Sequence, residues 1–197
     1  MKAEFWNERY KEEVFAYGME ANDFLQEQSI PMGSKILCLA EGEGRNGVYL
    51  AEQGNDVTCV DYSEEGVRKM SQLAEIKGVK LTTVCADLTD YTLGENLWDV
   101  IVIIFGHFPE DLRKKVHGQI FQALKPKGKL ILEAYHKSQI AYKTGGPMTE
   151  TMLYSEAELR EDFQEFEMLT IRQVEREVHE GEFHFGKAAV IQVVAEK

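Results

Sequence analysis

The sequence predicts an α/β protein with a doubly wound, mostly parallel sheet of seven strands that ends in an antiparallel hairpin. Short apolar runs alternate along the chain with amphipathic segments of helical period, and this alternation is typical of parallel β–α units with right-handed crossovers. The last two apolar runs are separated only by a turn near Gly181, and strands joined in this way are antiparallel. We therefore expect five parallel strands extended by a hairpin.

The five parallel strands are predicted where apolar residues follow one another, because such strands are buried on both faces. They cover residues 35–40, 57–61, 79–85, 98–105 and 129–135. Helices are predicted from apolar spacing and from end signals. They comprise residues 3–28 with a break near Tyr17, a helix from the turn after residue 40 to Gln53, one from Ser63 to Gly78, and one opened by Pro109 that aligns Leu112, Val116, Ile120 and Leu124.

The C-terminal part begins with a polar loop over residues 137–152. Ser155 and Glu158 have the spacing of a capping box, which predicts one more short helix. Residues 166–178 and 188–195 are the predicted hairpin strands. Since no composition break marks a linker, we expect a single domain over residues 1–197.

Charge and hydropathy limit the possible partners. The chain carries 22 basic and 34 acidic residues, a net charge of −12, which disfavours binding to nucleic acid or to anionic membranes. No apolar run approaches the length of a membrane span, and the charged N-terminus does not resemble a secretion signal. These features predict a cytoplasmic protein. They do not distinguish a monomer from a homodimer. The basic run at residues 113–115 is interpreted as a solvated helix face.

The cysteines and histidines give no pattern of metal ligands. Cys38, Cys59 and Cys85 show no CxxC spacing and are expected to be buried thiols in a reducing compartment. His179 and His184 flank the terminal turn. Their spacing allows a shared site, but an exposed polar tip is the expected arrangement. His117 and His136 are expected to be solvated. We therefore expect no metal site.

A glycine-rich turn follows the first strand. Gly42, Gly44 and Gly47 have the G-x-G-x-x-G spacing of a Rossmann-like cofactor turn, and Asp61 lies nineteen residues after Gly42, where such sites place a carboxylate that binds ribose. The spacing alone permits an NAD-dependent oxidoreductase. It also permits other cofactors that contain adenosine.

The charges of this turn favour a cofactor without a diphosphate. A pyrophosphate requires free N–H groups and positive potential at the helix start, but Glu41 and Glu43 lie in the turn and Arg45 offsets them only in part. The chain also leaves no room for the separate substrate domain that dehydrogenases generally need. Asp87, at the end of the third strand, can accept a hydrogen bond from an adenine amino group.

The motifs resemble those of the class I S-adenosylmethionine-dependent methyltransferases, over nearly the whole chain. Residues 36–46 (ILCLAEGEGRN) match the first motif, and the continuation GRNGVYLA resembles the tellurite-resistance and thiopurine-type branch. Residues 98–108 match the fourth-strand motif, and the turn KPKG at residues 125–128 is similar to the family's LKPGG segment. The family also ends in an antiparallel hairpin.

The resemblance implies S-adenosylmethionine as the cofactor and assigns roles to matching residues. Asp61 would hold both ribose hydroxyls, and Asp87 would lie near adenine with Leu88 beside the ring. The N-terminal segment, residues 1–33, would be a lid, residues 34–136 the cofactor-binding core, and residues 137–197 the substrate side. The cofactor-binding residues implied are Ala40, Glu41, Gly42, Gly44, Arg45, Asp61, Tyr62, Asp87, Leu88 and Phe105.

Two residues depart from the family pattern. Cys38 stands where the family has an acid that holds the amino-acid end of the cofactor, and Glu41 is the candidate to replace that acid. Ala40 stands where the family has glycine, which costs little if its φ angle is negative. These departures leave a noncatalytic S-adenosylmethionine-binding protein as an alternative.

The expected activity is methyl transfer to a small-molecule acceptor by in-line displacement, in which alignment of the reactants is the main task. His107 is the candidate base or positioning donor, against the alternative that it binds a loop carbonyl. Tyr17 is a second candidate, because Tyr10, Phe15 and Tyr17 of the lid could cover the sulfonium by cation–π contact. Residues 142–147 (YKTGGP) are expected to form a mobile loop.

Overall fold

The computed structural model describes residues 3–197; residues 1 and 2 of the predicted N-terminal segment lie outside this range. Seven strands form one sheet in the order β3-β2-β1-β4-β5-β7-β6. The strands are β1 Lys35–Leu39, β2 Asp56–Asp61, β3 Thr82–Cys85, β4 Trp98–Ile104, β5 Leu124–Tyr135, β6 Met168–Glu180 and β7 His184–Glu196. The helices are α1 Ala3–Tyr10, α2 Asp23–Gln26, α3 Arg45–Glu52, α4 Glu64–Lys77, α5 Glu110–Ala123 and α6 Glu156–Asp162, with 3₁₀ turns at Lys137–Ala141 and Glu150–Met152.

The strand pairing confirms the predicted fold class. Strands β1 to β5 pair in parallel, whereas β7 is antiparallel to both β5 and β6. The strand order reverses between β1 and β4, and ligands of such sheets bind beyond the carboxyl ends of the strands at this point. The fold therefore directs attention to the loops that follow β1, β2 and β4.

The helices α4 and α5 begin and end near the residues that the sequence indicated. Ser63 accepts a hydrogen bond from the Gly66 N–H at 3.0 Å, and Gly78 ends α4 with a φ of 69°. The helix α5 starts after Pro109 and buries Val116 and Ile120. The capping box of Ser155 and Glu158 is present at the start of α6. Local capping signals in the sequence therefore predicted where these helices begin and end.

The N-terminal segment is less helical than predicted. Only α1 and the single turn of α2 form, so the prediction of helix over residues 11–22 is wrong. This stretch instead lies against the tip of the terminal hairpin, where the Glu182 N–H donates to the Ala16 carbonyl at 3.0 Å. A Cβ on Gly181 would lie 2.5 Å from the Tyr17 Cα. Tertiary contacts of this kind override weak local helix propensity.

Three groups expected to be solvated or buried have the opposite exposure. Arg113 is buried in an ion pair of 3.1 Å with Asp162, which also accepts a hydrogen bond from His117 at 2.7 Å. The helix α6 covers this part of α5, which the helical pattern of α5 alone did not reveal. Cys85 is exposed, whereas Cys38 and Cys59 are buried free thiols at opposite positions of the neighbouring strands β1 and β2.

Candidate cofactor and acceptor cleft

A cleft of about 1090 Å³ opens at the carboxyl ends of the parallel strands. All but one of the predicted site residues line it. Gly44 does not; it lies beneath the turn, where a Cβ would meet the Met70 Cγ at 2.4 Å. The predicted residues in the wall are Tyr17, Ala40, Glu41, Gly42, Arg45, Asp61, Tyr62, Asp87, Leu88, Phe105 and His107.

Glu41 closes the glycine-rich turn onto the helix that follows. Its Oε1 accepts the N–H groups of Asn46 and Gly47 at 2.9 and 2.8 Å, which lie in the first turn of α3. Burial raises the pKa of this carboxyl group to about 7. A pyrophosphate depends on such N–H groups at a helix start, and here a side chain already occupies them. The part of Glu41 in holding the cofactor stays a prediction.

The cations near the turn are also paired. The Arg45 Nη2 lies 2.6 Å from the Glu180 Oε2, and the Lys69 Nζ lies 2.7 Å from the Glu43 Oε1. All four side chains are buried. The turn therefore offers little uncompensated positive charge to a diphosphate, which argues against the NAD interpretation.

Asp61 is a buried carboxyl group fixed by the backbone. Its Oδ2 accepts from the Gly42 N–H and its Oδ1 from the Ser63 N–H, both at 2.9 Å. Burial raises the pKa of this carboxyl group. Each oxygen keeps a further lone pair, so the group can still accept from two neighbouring hydroxyls. Tyr10 lies beside it, since a Cβ on Gly42 would approach the Tyr10 hydroxyl to 2.8 Å.

Residues that follow β3 form another wall of the cleft. Leu88 is buried, whereas Asp87 is exposed and accepts the Thr89 N–H at 2.7 Å. That hydrogen bond lowers the pKa of Asp87, so the group is a carboxylate at neutral pH. Burial raises the pKa of Tyr62 to about 12, so its hydroxyl stays protonated.

Ala40 adopts the backbone conformation that favours glycine. Its φ is 53°, so the condition under which this alanine would cost little is not met. Phe105, which follows β4 at the other side of the cleft, has a φ of 52°. Left-handed geometry costs an L-residue about 1–2 kcal/mol. The two loops at the point where the strand order reverses are therefore strained.

His107 is held by main-chain groups on both ring nitrogens. Its Nδ1 lies 2.8 Å from the Met152 carbonyl, and its Nε2 accepts from the Tyr135 N–H at 3.4 Å. Burial lowers the pKa of the ring to about 4, so it is neutral at pH 7. The carbonyl contact that the sequence left as the alternative is therefore present, and a catalytic role for His107 stays a prediction.

Aromatic residues of the N-terminal segment line the cleft near the start of β7. The ring of Tyr17 lies 4.6 Å from that of His184, and its hydroxyl accepts from Arg9 at 3.3 Å. Phe15 does not line the cleft; it packs against Val48 and Leu73 on the other side of the turn. Of the three predicted lid aromatics, Tyr10 and Tyr17 are in position to cover a ligand.

Sequence reasoning missed the position of His184. The side chain is 8% exposed and lines the cleft, so the expectation of an exposed tip is wrong for this residue, although His179 is exposed. The reason is the length of β7, which begins at His184 and not at residue 188. In the sequence the continuous apolar run begins only at residue 188, because His184 and Lys187 interrupt the pattern before it.

Two features are absent from residues 3–197, the part of the chain that the structure describes. None of its helices is long and apolar enough to cross a membrane. It also contains no group of three or more His, Cys, Asp or Glu side chains arranged to hold a metal ion.

Comparison with known proteins gives consistent matches. Residues 36–128 match the family model described as a methyltransferase domain. The uncharacterized methyltransferase YbaJ of Bacillus subtilis is 34% identical over half of this chain and 39% of its own length. The probable S-adenosyl-L-methionine-dependent methyltransferase TehB of Haemophilus influenzae is 26% identical over 86% of this chain and 60% of its own length. The chain thus spans less than two thirds of either relative.

Solved structures show the same fold. TehB from Haemophilus influenzae superposes with a TM-score of 0.68 at 22% identity, covering 83% of this chain and 57% of that one. A SAM-dependent methyltransferase from Methanosarcina mazei gives a TM-score of 0.72 at 18% identity, covering 90% and 98%.

The strand order and these superpositions show that the chain has the Rossmann-like fold of S-adenosylmethionine-dependent methyltransferases. Residues 36–128 match a methyltransferase domain, and the similarity to TehB supports the class I family near the branch that the motifs indicated.

The residues of the cleft fit the cofactor that this family implies. S-adenosylmethionine has ribose hydroxyls and an adenine amino group but no phosphate. The buried Asp61 and the carboxylate of Asp87 are acceptors for such groups, and the paired charges of the turn suit a ligand without a diphosphate.

Proposed function

We propose that this protein is a cytoplasmic enzyme that transfers a methyl group from S-adenosylmethionine to a small molecule. The observation that carries the proposal is the environment of the turn after β1. There Glu41 accepts the N–H groups at the start of α3. The nearby cations Arg45 and Lys69 form ion pairs with Glu180 and Glu43. These contacts suit a cofactor without phosphates. The net charge of −12 supports a small acceptor over a nucleic acid.

We assign a role to each segment of the chain from the part of the cleft that it lines. We infer that residues 34–136 bind the cofactor, that residues 1–33 cover it, and that residues 137–197 form the acceptor side of a single domain. S-adenosylmethionine, when bound, supplies a methyl group on a sulfonium sulfur. Asp61 and Asp87 would hold the ribose and adenine ends, and Tyr17 would place an aromatic face near the sulfonium.

The acceptor side must exclude water and align the nucleophile, since alignment supplies much of the rate in a displacement. Tyr10 and Tyr17 close the cleft from the N-terminal side, while Phe105 and His107 bound it after β4. With its ring held by Met152 and Tyr135, His107 is suited to fix the shape of the site. Its pKa of about 4 makes it a weak base.

The test is calorimetry with S-adenosylmethionine, S-adenosylhomocysteine and NAD. We expect both sulfur compounds to bind with one site per chain and NAD to show no binding. Tight binding of NAD without binding of the sulfur compounds would refute the proposal.

A second candidate, a noncatalytic S-adenosylmethionine-binding protein, is favoured by Cys38 and Ala40. Cys38 is fully buried beside Cys59, and Ala40 is strained. Binding of the cofactor without methylation of any acceptor in a broad panel of hydroxyl, thiol and amine compounds would favour this candidate. If the protein is an active enzyme, His107→Ala should lower turnover more than cofactor affinity. If the protein is noncatalytic, neither the unaltered protein nor His107→Ala should methylate an acceptor.

A further inference from the structure

The acceptor side of the cleft contains a buried histidine that the motifs do not explain. His184 begins β7, lines the cleft and is 8% exposed. Its Nδ1 is buried without a hydrogen-bond partner among residues 3–197. A buried histidine that lines a ligand cleft is a candidate for a role in the chemistry of that cleft.

A carboxylate lies on the inner side of this ring. The Glu180 Oε2 is 3.6 Å from the His184 Nδ1, slightly beyond hydrogen-bond distance. Glu180 is itself fixed, because Oε2 also lies 2.6 Å from the Arg45 Nη2 and Oε1 accepts from the Asn22 Nδ2 at 2.8 Å. Although burial acts to raise the pKa of Glu180, His184 and Arg45 lower it to about 2. The group is therefore ionised throughout the physiological range.

The ring plane of His184 is fixed by aromatic neighbours. Tyr17, Phe105 and Tyr135 surround it with ring centroids 4.6, 4.7 and 5.2 Å away. With Nδ1 on the side of Glu180, Nε2 is the nitrogen left for a ligand. A histidine whose Nδ1–H is oriented by a carboxylate has a lone pair on Nε2, which is the arrangement of a base aimed at a bound molecule.

We propose, on the basis of the methyltransferase function proposed above, that His184 is the acceptor-side base and that Glu180 is its positioning residue. The acceptor is then a small molecule whose nucleophilic atom carries a proton, such as a hydroxyl on an apolar body. Its oxygen forms the bond to the methyl carbon, the carbon–sulfur bond breaks with its electron pair going to sulfur, and the hydroxyl proton goes to the His184 Nε2.

The apolar part of this acceptor class follows from the rim of the cleft. Four large apolar side chains on the rim are at least 40% exposed. An exposed apolar rim around a site commonly marks contact with an apolar ligand. These side chains are Phe5, Met148, Phe183 and Phe185.

Burial lowers the pKa of His184, so the ring is neutral and able to accept a proton at pH 7. The charged and titratable groups that face it come from every neighbouring element. They are Glu180 from β6, Arg45 from α3, Arg9 from α1, Tyr17 from the segment after α1, Tyr135 from β5 and His107 after β4.

The first test uses 4-nitrophenol as the probe, because its ionised form absorbs at a longer wavelength than its neutral form. We expect the protein with bound S-adenosylhomocysteine to increase the ionisation constant of bound 4-nitrophenol by about tenfold or more, since an imidazolium beside it favours the phenolate. His184→Phe keeps the aromatic contacts and should abolish this shift. The matched control is His179→Phe, at an exposed histidine of the same hairpin, which should leave the shift intact.

The outcomes separate the two proposals. If S-adenosylhomocysteine does not bind to the unaltered protein, the proposed function fails. If it binds but 4-nitrophenol does not, or if the shift is the same in His184→Phe, the assignment of His184 fails while the proposed function stands.

A second measurement needs no ligand. ¹⁵N NMR of the histidine rings in the unaltered protein should show His184 with its proton on Nδ1 and an unprotonated Nε2, and His184→Phe assigns the signal. A proton on Nε2 in the neutral ring would overturn the proposal. If methylation of a phenol is observed, His184→Phe should lower kcat by about 100-fold or more with little change in the affinity for S-adenosylhomocysteine.

Discussion

The two halves of the cleft differ in how they treat buried polar atoms. In the half after β1 and β2, the oxygens of Asp61 and the Oε1 of Glu41 already accept backbone N–H groups. In the half lined by the start of β7, the buried His184 Nδ1 has no partner within hydrogen-bond distance among residues 3–197 and lies 3.6 Å from the Glu180 Oε2. The polar groups of the first half are held by hydrogen bonds from the backbone, whereas the His184 ring is held by aromatic neighbours and a nearby carboxylate.

The same contrast separates two buried glutamates. Burial raises the pKa of Glu41 to about 7, whereas Glu180, on which the nearby cations Arg45 and Arg176 converge, has a pKa of about 2. Backbone N–H groups therefore hold Glu41, whereas an ion-pair network holds Glu180. The predictions below test that difference, beginning with the largest effect.

Gly44→Ala should damage the cofactor half most. The new Cβ would lie 2.4 Å from the Met70 Cγ and 3.0 Å from its Cα, at a φ of 91°, so strain and overpacking should together lower the free energy of unfolding by about 3 kcal/mol. Urea denaturation measures this. Gly118→Ala is the matched control, because no atom lies within 4 Å of its Cβ in α5. It should stabilise the protein, and equal effects of the two changes would contradict the account.

Glu41 should make the protein less stable as pH rises. The folded state keeps the Glu41 proton to about pH 7, whereas the unfolded chain releases it near pH 4.5. Stability therefore falls between these values, by about 3 kcal/mol at most. Glu41→Gln keeps an oxygen for the two N–H groups and should remove this slope, as measured by denaturation at several pH values.

Glu180 should give the opposite slope in a different range. Its folded pKa of about 2 lies below the ordinary value of 4.5, so its contribution is present above pH 4.5 and is lost as pH falls toward 2. Denaturation at several pH values should show a flatter stability profile for Glu180→Gln than for the unaltered protein between pH 2 and 4.5, and parallel profiles in this range would contradict the prediction.

Ala40→Gly should give the smallest effect. Relief of the φ of 53° should stabilise the protein by about 1 kcal/mol. Lys127→Gly, at a φ of 66° in the turn at the start of β5, is the control outside the cleft. Both changes should raise the melting temperature, but only Ala40→Gly should also alter the affinity for S-adenosylhomocysteine. A loss of stability in Ala40→Gly would contradict the strain argument.

The sequence predicted the first half of the cleft better than the second. Gly42, Asp61 and Asp87 lie at the carboxyl end of a strand or within three residues after it, so local patterns placed them. His184 could not be placed, because its burial depends on where β7 begins and on the docking of residues 11–22 against Gly181. The left-handed backbone conformation of Ala40 could not be predicted either, because an alanine in the sequence does not indicate a positive φ. Contacts between distant segments decided each of these cases.

The most direct test of the division between the halves is calorimetry of S-adenosylhomocysteine with three proteins. Asp61→Ala should weaken binding by about 1–3 kcal/mol, because it removes an acceptor of charged hydrogen bonds. His184→Phe should bind like the unaltered protein. If Asp61→Ala kept full affinity, or if His184→Phe weakened binding as much as Asp61→Ala, the assignment of one half to the cofactor and the other to the acceptor would be wrong.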